Sequence, residues 1–296
     1  MPVPLRISVL GSFAVSDGNK DLTLSEGSQR LLAFLAINPR PLSRVLVAGT
    51  LWPVSTEAHA YSSLRSALAR LEDARSGILV TPATLCIADG VSVDLRGARA
   101  LAHRLLVPGA KVSALNSIEG DLASLSEDLL PGWYEDWATA EYEEWRQLRL
   151  HALEAMARIL TAAGAYGVAA LAALSAVRAD PLRESPRVAL IKVHLAEGNQ
   201  SEATREFRRY RVLLAAELHV EPTTLLRDLV TNPVTQASRS PVQSGRRTSN
   251  TALNGSRQGE IHVKPPAEPA PNGVADERSR FDAHSSRPSV PGVRCH

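Results

Sequence analysis

Apolar and polar positions change their spacing twice along the chain, and the changes divide it into three regions. Near the start, short apolar runs at residues 5–10, 12–16 and 21–24 lie between turn formers and predict a small antiparallel sheet, with a turn over 17–20. The spacing then becomes helical. Ser25 or Ser28 can cap a first helix that runs through Arg30 to Ala36 and stops at Asn38-Pro39, because the residue before proline avoids the α region. Ser43 caps a short second helix over 44–51, closed by Trp52-Pro53. A third helix starts at Ser55-Thr56-Glu57 and is predicted to reach about residue 75. Runs over 78–81, 85–88 and 91–94, separated by Pro82-Ala83 and Asp89-Gly90, predict a closing hairpin.

From Ala98 to Val230 the period is helical almost throughout, with breaks at Pro108-Gly109, Pro131-Gly132, Gly164, Asp180-Pro181 and Gly198-Asn199. Gly164 and Gly198 lie one tetratricopeptide repeat length apart, about 34 residues, and each separates two helical stretches. Tyr166, Ala169, Ala176 and Pro181 fall at the packing and terminal positions of such a repeat; the second unit keeps Ala203 and Phe207 and lacks the proline. A long helix over 137–163 and a short one over 222–230 are expected to cap the pair, since two repeats alone are marginal. Beyond residue 231, Ser, Pro, Arg, Gly and Asn dominate and almost no aromatic residue occurs, so little apolar surface offsets the entropy of ordering. The expected architecture is mostly α with small β: a winged helix-turn-helix over 1–96, an all-α tetratricopeptide-like domain over 97–231 and a disordered tail over 232–296.

Composition narrows the function classes. Formal charge is +2 overall; it divides into a slight basic excess over 1–96, an acidic excess over 97–231 and a basic tail. Affinity for a polyanion must therefore come from a local patch. Two cysteines, Cys86 and Cys295, exclude a disulfide framework and a cysteine zinc site. The scattered histidines have no metal-ligand spacing, so no metal or other cofactor is expected. No apolar run approaches the roughly 20 residues of a bilayer span, and the start lacks a signal-peptide pattern, which places the chain in the cytoplasm. The carboxylates Glu135, Asp136, Glu141, Glu143 and Glu144 have no partnering histidine for acid-base work, and no phosphate-binding Gly-Lys loop is present, so no enzyme activity is expected.

The third helix carries the candidate chemistry. At 100° per residue, Ala60, Leu64, Ala67, Leu68 and Leu71 share one face, while His59, Ser62, Arg65, Ser66, Ala69 and Arg70 spread over the other. Small and hydroxyl side chains permit close approach to base edges, and the arginines can donate bidentately to guanine. The same periodicity also fits an ordinary amphipathic helix with a solvated face. The order sheet, helix, helix, loop, helix, hairpin favours the DNA reading. Arg44, at the N-terminus of the second helix, is placed to bind a phosphate beside backbone amides.

Gln29-Arg30-Leu31-Leu32-Ala33-Phe34-Leu35, Leu51-Trp52-Pro53 and Ser63-Leu64-Arg65-Ser66-Ala67-Leu68-Ala69-Arg70-Leu71 resemble the OmpR-type DNA-binding domain of the actinobacterial SARP antibiotic regulators. Leu129-Leu130-Pro131-Gly132-Trp133-Tyr134, Asp180-Pro181-Leu182-Arg183-Glu184 and Glu217-Leu218-His219-Val220-Glu221-Pro222 resemble the bacterial transcriptional activator domain that follows it in that family. The resemblance covers about residues 5–231. It implies an activator that binds direct repeats in double-stranded DNA, controls secondary-metabolite genes and pairs with a second copy through its helical domain. It also implies that the third helix enters the major groove through Ser62, Arg65, Ser66 and Arg70, with His59 beside them. The hairpin wing, offering Thr81 and Thr84, touches the backbone, and the loop Trp52, Pro53, Val54, Ser55 and Thr56 faces RNA polymerase. Two departures weaken the expected phosphate contacts: Glu72-Asp73 replaces a cation after Arg70-Leu71, and the hairpin from Gly77 to Leu95 holds no Lys or Arg. The alternative is a scaffold whose winged helix contacts protein instead of DNA.

Overall fold

The computed structural model describes residues 5–18 and 20–231; the tail reading for 232–296 and the Asn19 position of the first turn lie outside them. β1 (Leu5–Ser8) pairs antiparallel with β2 (Ala14–Asp17), which pairs with β3 (Lys20–Asp21). Leu5, Ile7, Val9 and Val15 point inward, as the two-residue period of a half-buried strand requires. α1 (Glu26–Ile37) is buried on nearly every side from Leu31 to Ile37 because it lies between α3 (Glu57–Ala69), β6 (Thr84–Ile87) and the long α6 (Asp136–Ala162). It stops where Asn38 turns extended ahead of Pro39, and the Asn38 amide closes the end by donating to the Phe34 carbonyl at 2.8 Å.

α2 (Arg44–Leu51) has the bounds that its capping residues predict: the Ser43 hydroxyl accepts from the Leu46 amide at 3.2 Å. Ser25 flanks α1 but makes no such bond. Its hydroxyl instead meets Ser28 Oγ at 2.9 Å, and Ser28, fully buried, donates to the Ala67 carbonyl of α3.

Three strand and helix expectations need correction. α3 ends at Ala69, six residues short of the predicted end; Arg70 leaves the helix, Glu72 adopts φ +46°, and Glu72–Gly77 form a 3₁₀ turn. Only β5 (Ile78–Val80) and β6 form the closing hairpin, whereas β7 (Ser92–Val93) crosses to lie parallel to β1. Residues 22–24 extend β3 no further, and an unexpected short strand, β4 (Leu42–Ser43), joins β6. The two sheets run β3-β2-β1-β7 and β4-β6-β5.

Asp94 explains the crossing of β7. Its carboxylate accepts from the Val9 and Leu10 amides at 3.0 and 3.1 Å, and from its neighbour Leu95 at 2.7 Å, so the chain returns to β1 before α4 (Asp94–Leu106) begins. Burial holds this carboxyl above its usual range, against those three backbone bonds.

Helices follow: α5 (Ile118–Ser126), the 27-residue α6, α7 (Tyr166–Ala179), α8 (Glu184–Glu197), α9 (Gln200–Glu217) and α10 (Thr224–Thr231). Residues 127–135 depart from the helical expectation: Leu129 bridges Leu10, and the Leu130 amide donates to the Val9 carbonyl at 2.8 Å. Gly164 and Gly198 hold φ +77° and +85°, the left-handed geometry that ends α6 and α8 at no steric cost. Ala169, Ala173, Ala176 and Ala203 are fully buried, which lets successive helices pack closely in two tetratricopeptide-like pairs. α8, α9 and α10 enclose a smaller second core around Tyr210, Leu214 and Leu226. Among the described residues no helix is long and apolar enough to cross a membrane.

Candidate nucleic-acid interface

Every polar position expected on the free face of α3 is exposed, and the packing face is buried: Ala60, Leu64, Ala67 and Leu68 point into the core, while His59, Ser62, Arg65, Ser66, Ala69 and Arg70 point out. Two hydroxyls and two arginines thus share one surface strip. Neither Arg65 nor Arg70 enters a side-chain hydrogen bond or an ion pair. Arg30 on α1 and Arg99 on α4 behave differently. Arg30 donates to the Leu51 carbonyl at 2.9 Å and pairs with Glu135 at 3.1 Å; Arg99 pairs with Glu141 at 2.6 Å. Arg65 and Arg70 thus put two unpaired guanidiniums on the outward strip, where a polyanion could neutralise them without breaking a bond already made.

His59 is committed in part, since its Nδ1 lies 2.8 Å from Thr56 Oγ1. That bond ties the loop residue Thr56 to the first turn of α3. The acidic pair after the helix also sits differently from the sequence expectation. Because α3 ends at Ala69, Glu72 and Asp73 belong to the 3₁₀ turn, and Asp73 faces Lys20 at 3.8 Å.

β4 brings a further group to the wing. Ser43 is paired with Thr84 in the sheet, and the Arg44 amide donates to the Ala83 carbonyl at 3.0 Å, so the start of α2 is anchored on the hairpin turn. Arg44, half-buried and unpaired, therefore stands beside Thr81 and Thr84. The two threonine hydroxyls lie 2.9 Å apart, and Thr81 Oγ1 accepts from the Ala83 and Thr84 amides. Thr81 thus shapes the turn itself, leaving its outer lone pairs and the backbone for any contact.

The loop between α2 and α3 exposes Pro53, Val54, Ser55 and Thr56, with Val54 at 99% of full exposure, while Trp52 is half-buried against the core. Val45 and Leu46, in the first turn of α2, are also exposed. Periodicity gave no warning of these two, because Val45-Leu46-Val47-Ala48 reads as a continuous apolar run. Their signal is the helix start: first-turn side chains on the outer side of so short a helix have no neighbouring element to cover them.

Behind this surface, aromatic side chains join the sheet-containing half to the helices. Phe34 meets Trp137 edge to face at 5.2 Å, Trp137 meets Trp133 at 5.8 Å, and Trp133 meets Phe13 at 5.7 Å. Trp145 is fully buried and donates to the Glu127 carbonyl at 3.0 Å, and Arg149, also buried, donates to the Ser126 carbonyl at 2.8 Å and pairs with Asp128. The sheet-containing half is thus held on the helical half by edge-to-face rings and by the Arg30–Glu135 pair, while Trp145 and Arg149 fix the 126–128 segment on α6. No group of residues with metal-binding composition occurs among the described residues.

Residues 93–232 match the family model of the bacterial transcriptional activator domain. The chain is 29% identical over 243 residues to the regulatory protein AfsR of Streptomyces griseus, a stretch that covers 76% of this chain and 24% of that protein. It therefore spans about a quarter of the length of that relative. Among solved structures it is similar to Mycobacterium tuberculosis EmbR in complex with a low-affinity phosphopeptide, with a TM-score of 0.58 at 22% identity, over 77% of this chain and 64% of that one. At that identity the likeness is one of fold.

Proposed function

We propose, on the premise that the chain is a SARP-type regulator built around a bacterial transcriptional activator domain, that it binds double-stranded DNA sequence-specifically and activates transcription. The observation that carries the reading is the exposed strip along α3, where Arg65 and Arg70 stand unpaired beside Ser62 and Ser66 and can meet a polyanion without giving up an existing partner. In this reading residues 1–96 form the DNA-binding unit and 97–231 the activator domain. Arg65 and Arg70 donate to base edges or phosphates in the major groove, Ser62 and Ser66 adjust the approach, and His59 contacts the backbone. Arg44 and the Thr81–Thr84 turn meet the adjoining phosphates. The loop from Trp52 to Thr56, exposed from Pro53 onward, faces RNA polymerase, with Val54 as its apolar contact.

Few cations serve this surface, so one copy binds weakly. A second copy, paired through the helical domain on a direct repeat about 10 bp away, raises the affinity by making the second contact intramolecular. The promoters served are those of secondary-metabolite genes. Selection from a random duplex library with the full chain at low salt tests the reading: a recurring motif with repeated half-sites is expected, and no enriched motif would overturn it. Arg65→Ala should weaken binding to the selected site by about 1–3 kcal/mol and relax the preference at one base position, while a phosphate-contacting Arg70→Ala should weaken all sequences alike and lower the salt slope by about 1.

A further inference from the structure

α6 and α8 face one another across a cavity of about 540 Å³, within the roughly 300–1,000 Å³ typical of small-molecule sites. Two matched stripes form its walls. On α6 they recur at one helical turn from His151 through Ala155 and Arg158 to Ala162, and on α8 from Ser185 through Ala189 to Lys192. Alanine at 155, 162 and 189 leaves open the space that larger side chains would fill. Val188 adds apolar wall, and Leu106, 40% exposed at the end of α4, lies at the rim.

The charges lining this space are unbalanced. Glu154 is already engaged: it accepts from the Ser185 hydroxyl at 2.7 Å and lies 3.8 Å from Arg183, which also reaches His151 at 3.2 Å. Arg158 and Lys192 enter no hydrogen bond or ion pair with any described residue. A neighbouring cavity of about 530 Å³ shares Arg158 and Ala162 and adds Lys111, a third unpaired cation. Apolar walls beside unmatched positive charge complement a molecule with an apolar body and one anionic head.

We propose that the α6–α8 cavity binds a small amphipathic organic acid, its carboxylate held by Arg158 and Lys192 and its apolar body laid along Ala155, Val188 and Ala189. A volume of this size suits a single small molecule. The site is separate from the α3 surface, so its test does not depend on DNA binding.

The full chain is titrated with 8-anilinonaphthalene-1-sulfonate as a fluorescent reporter, which is then displaced with octanoate, 1-octanol or octyltrimethylammonium. Octanoate is expected to displace it at a concentration at least about tenfold lower than the other two, which share its chain and lack its charge; tenfold corresponds to one decade in Kd. Arg158→Gln combined with Lys192→Gln, both at exposed positions and verified as folded by circular dichroism, should weaken octanoate by about tenfold or more, and Arg158→Lys should stay within about threefold. Equal displacement by all three compounds, no change in the double variant, or no reporter binding by the unmodified chain would each overturn the proposal.

Discussion

Ser28 shows how one buried hydroxyl can fix the position of a neighbouring helix. The last four carbonyls of any α-helix lack an internal partner, and Ala67 is among the last residues of α3. The fully buried Ser28 hydroxyl of α1 supplies the missing donor at 2.9 Å. Ser28→Ala is therefore expected to lower stability by about 1–2 kcal/mol, read as a lower urea midpoint at unchanged m value. An unchanged midpoint would show that the carbonyl finds another donor. Arg65 and Arg70 were legible in the sequence because a face is fixed by periodicity, and both are exposed as that face requires. The roles of Ser28, Thr56 and Thr81 were not legible. Each depends on a partner chosen by tertiary packing or turn geometry, and a hydroxyl residue reads the same whether it caps, bridges or contacts a ligand.

At the scale of elements, α2 was readable to the residue because Ser43 caps one end and Trp52-Pro53 closes the other. The end of α3 was not. Arg70 and Leu71 continue the helical period, and the break lies in the left-handed backbone of Glu72, which glutamate does not advertise. β7 escaped for another reason: its partner is β1, far away in sequence, and the carboxylate that directs it, Asp94, meets the Val9 and Leu10 amides only after folding. Tyr210 gives a testable case in the second core. Burial, with a smaller contribution from nearby Glu184, pushes its phenol up from 10.0 to about 12, and its hydroxyl donates to the Leu182 carbonyl at 2.9 Å. The folded state thus keeps a proton that the unfolded chain releases. The stability this group supplies is complete below pH 10 and is lost as pH rises towards 12. The melting temperature should fall across that window, and Tyr210→Phe should remove a tyrosinate transition near pH 12 from the absorbance titration. Survival of that transition in the variant would assign it elsewhere.

For the whole molecule, the seam between the sheet-containing half and the helices decides whether the two act as one body. Arg30 fastens three elements there: it lies on α1, donates to the last residue of α2 and pairs with Glu135 at the start of α6. Arg30→Ala should cost about 1–2 kcal/mol, since the pair is partly solvent-screened while the bond to the Leu51 carbonyl is charge-assisted. A variant of unchanged stability would move the work to the edge-to-face rings. Those rings have an optical consequence. The chain has four tryptophans; Trp133 and Trp137 meet edge to face in the seam, Trp145 is buried beside Glu127, Trp52 packs on the core at the end of α2, and α7 to α10 have none. Its near-ultraviolet emission is thus a label that nature has already placed. A red shift or faster acrylamide quenching reports the halves coming apart, whereas melting confined to α8–α10 stays dark.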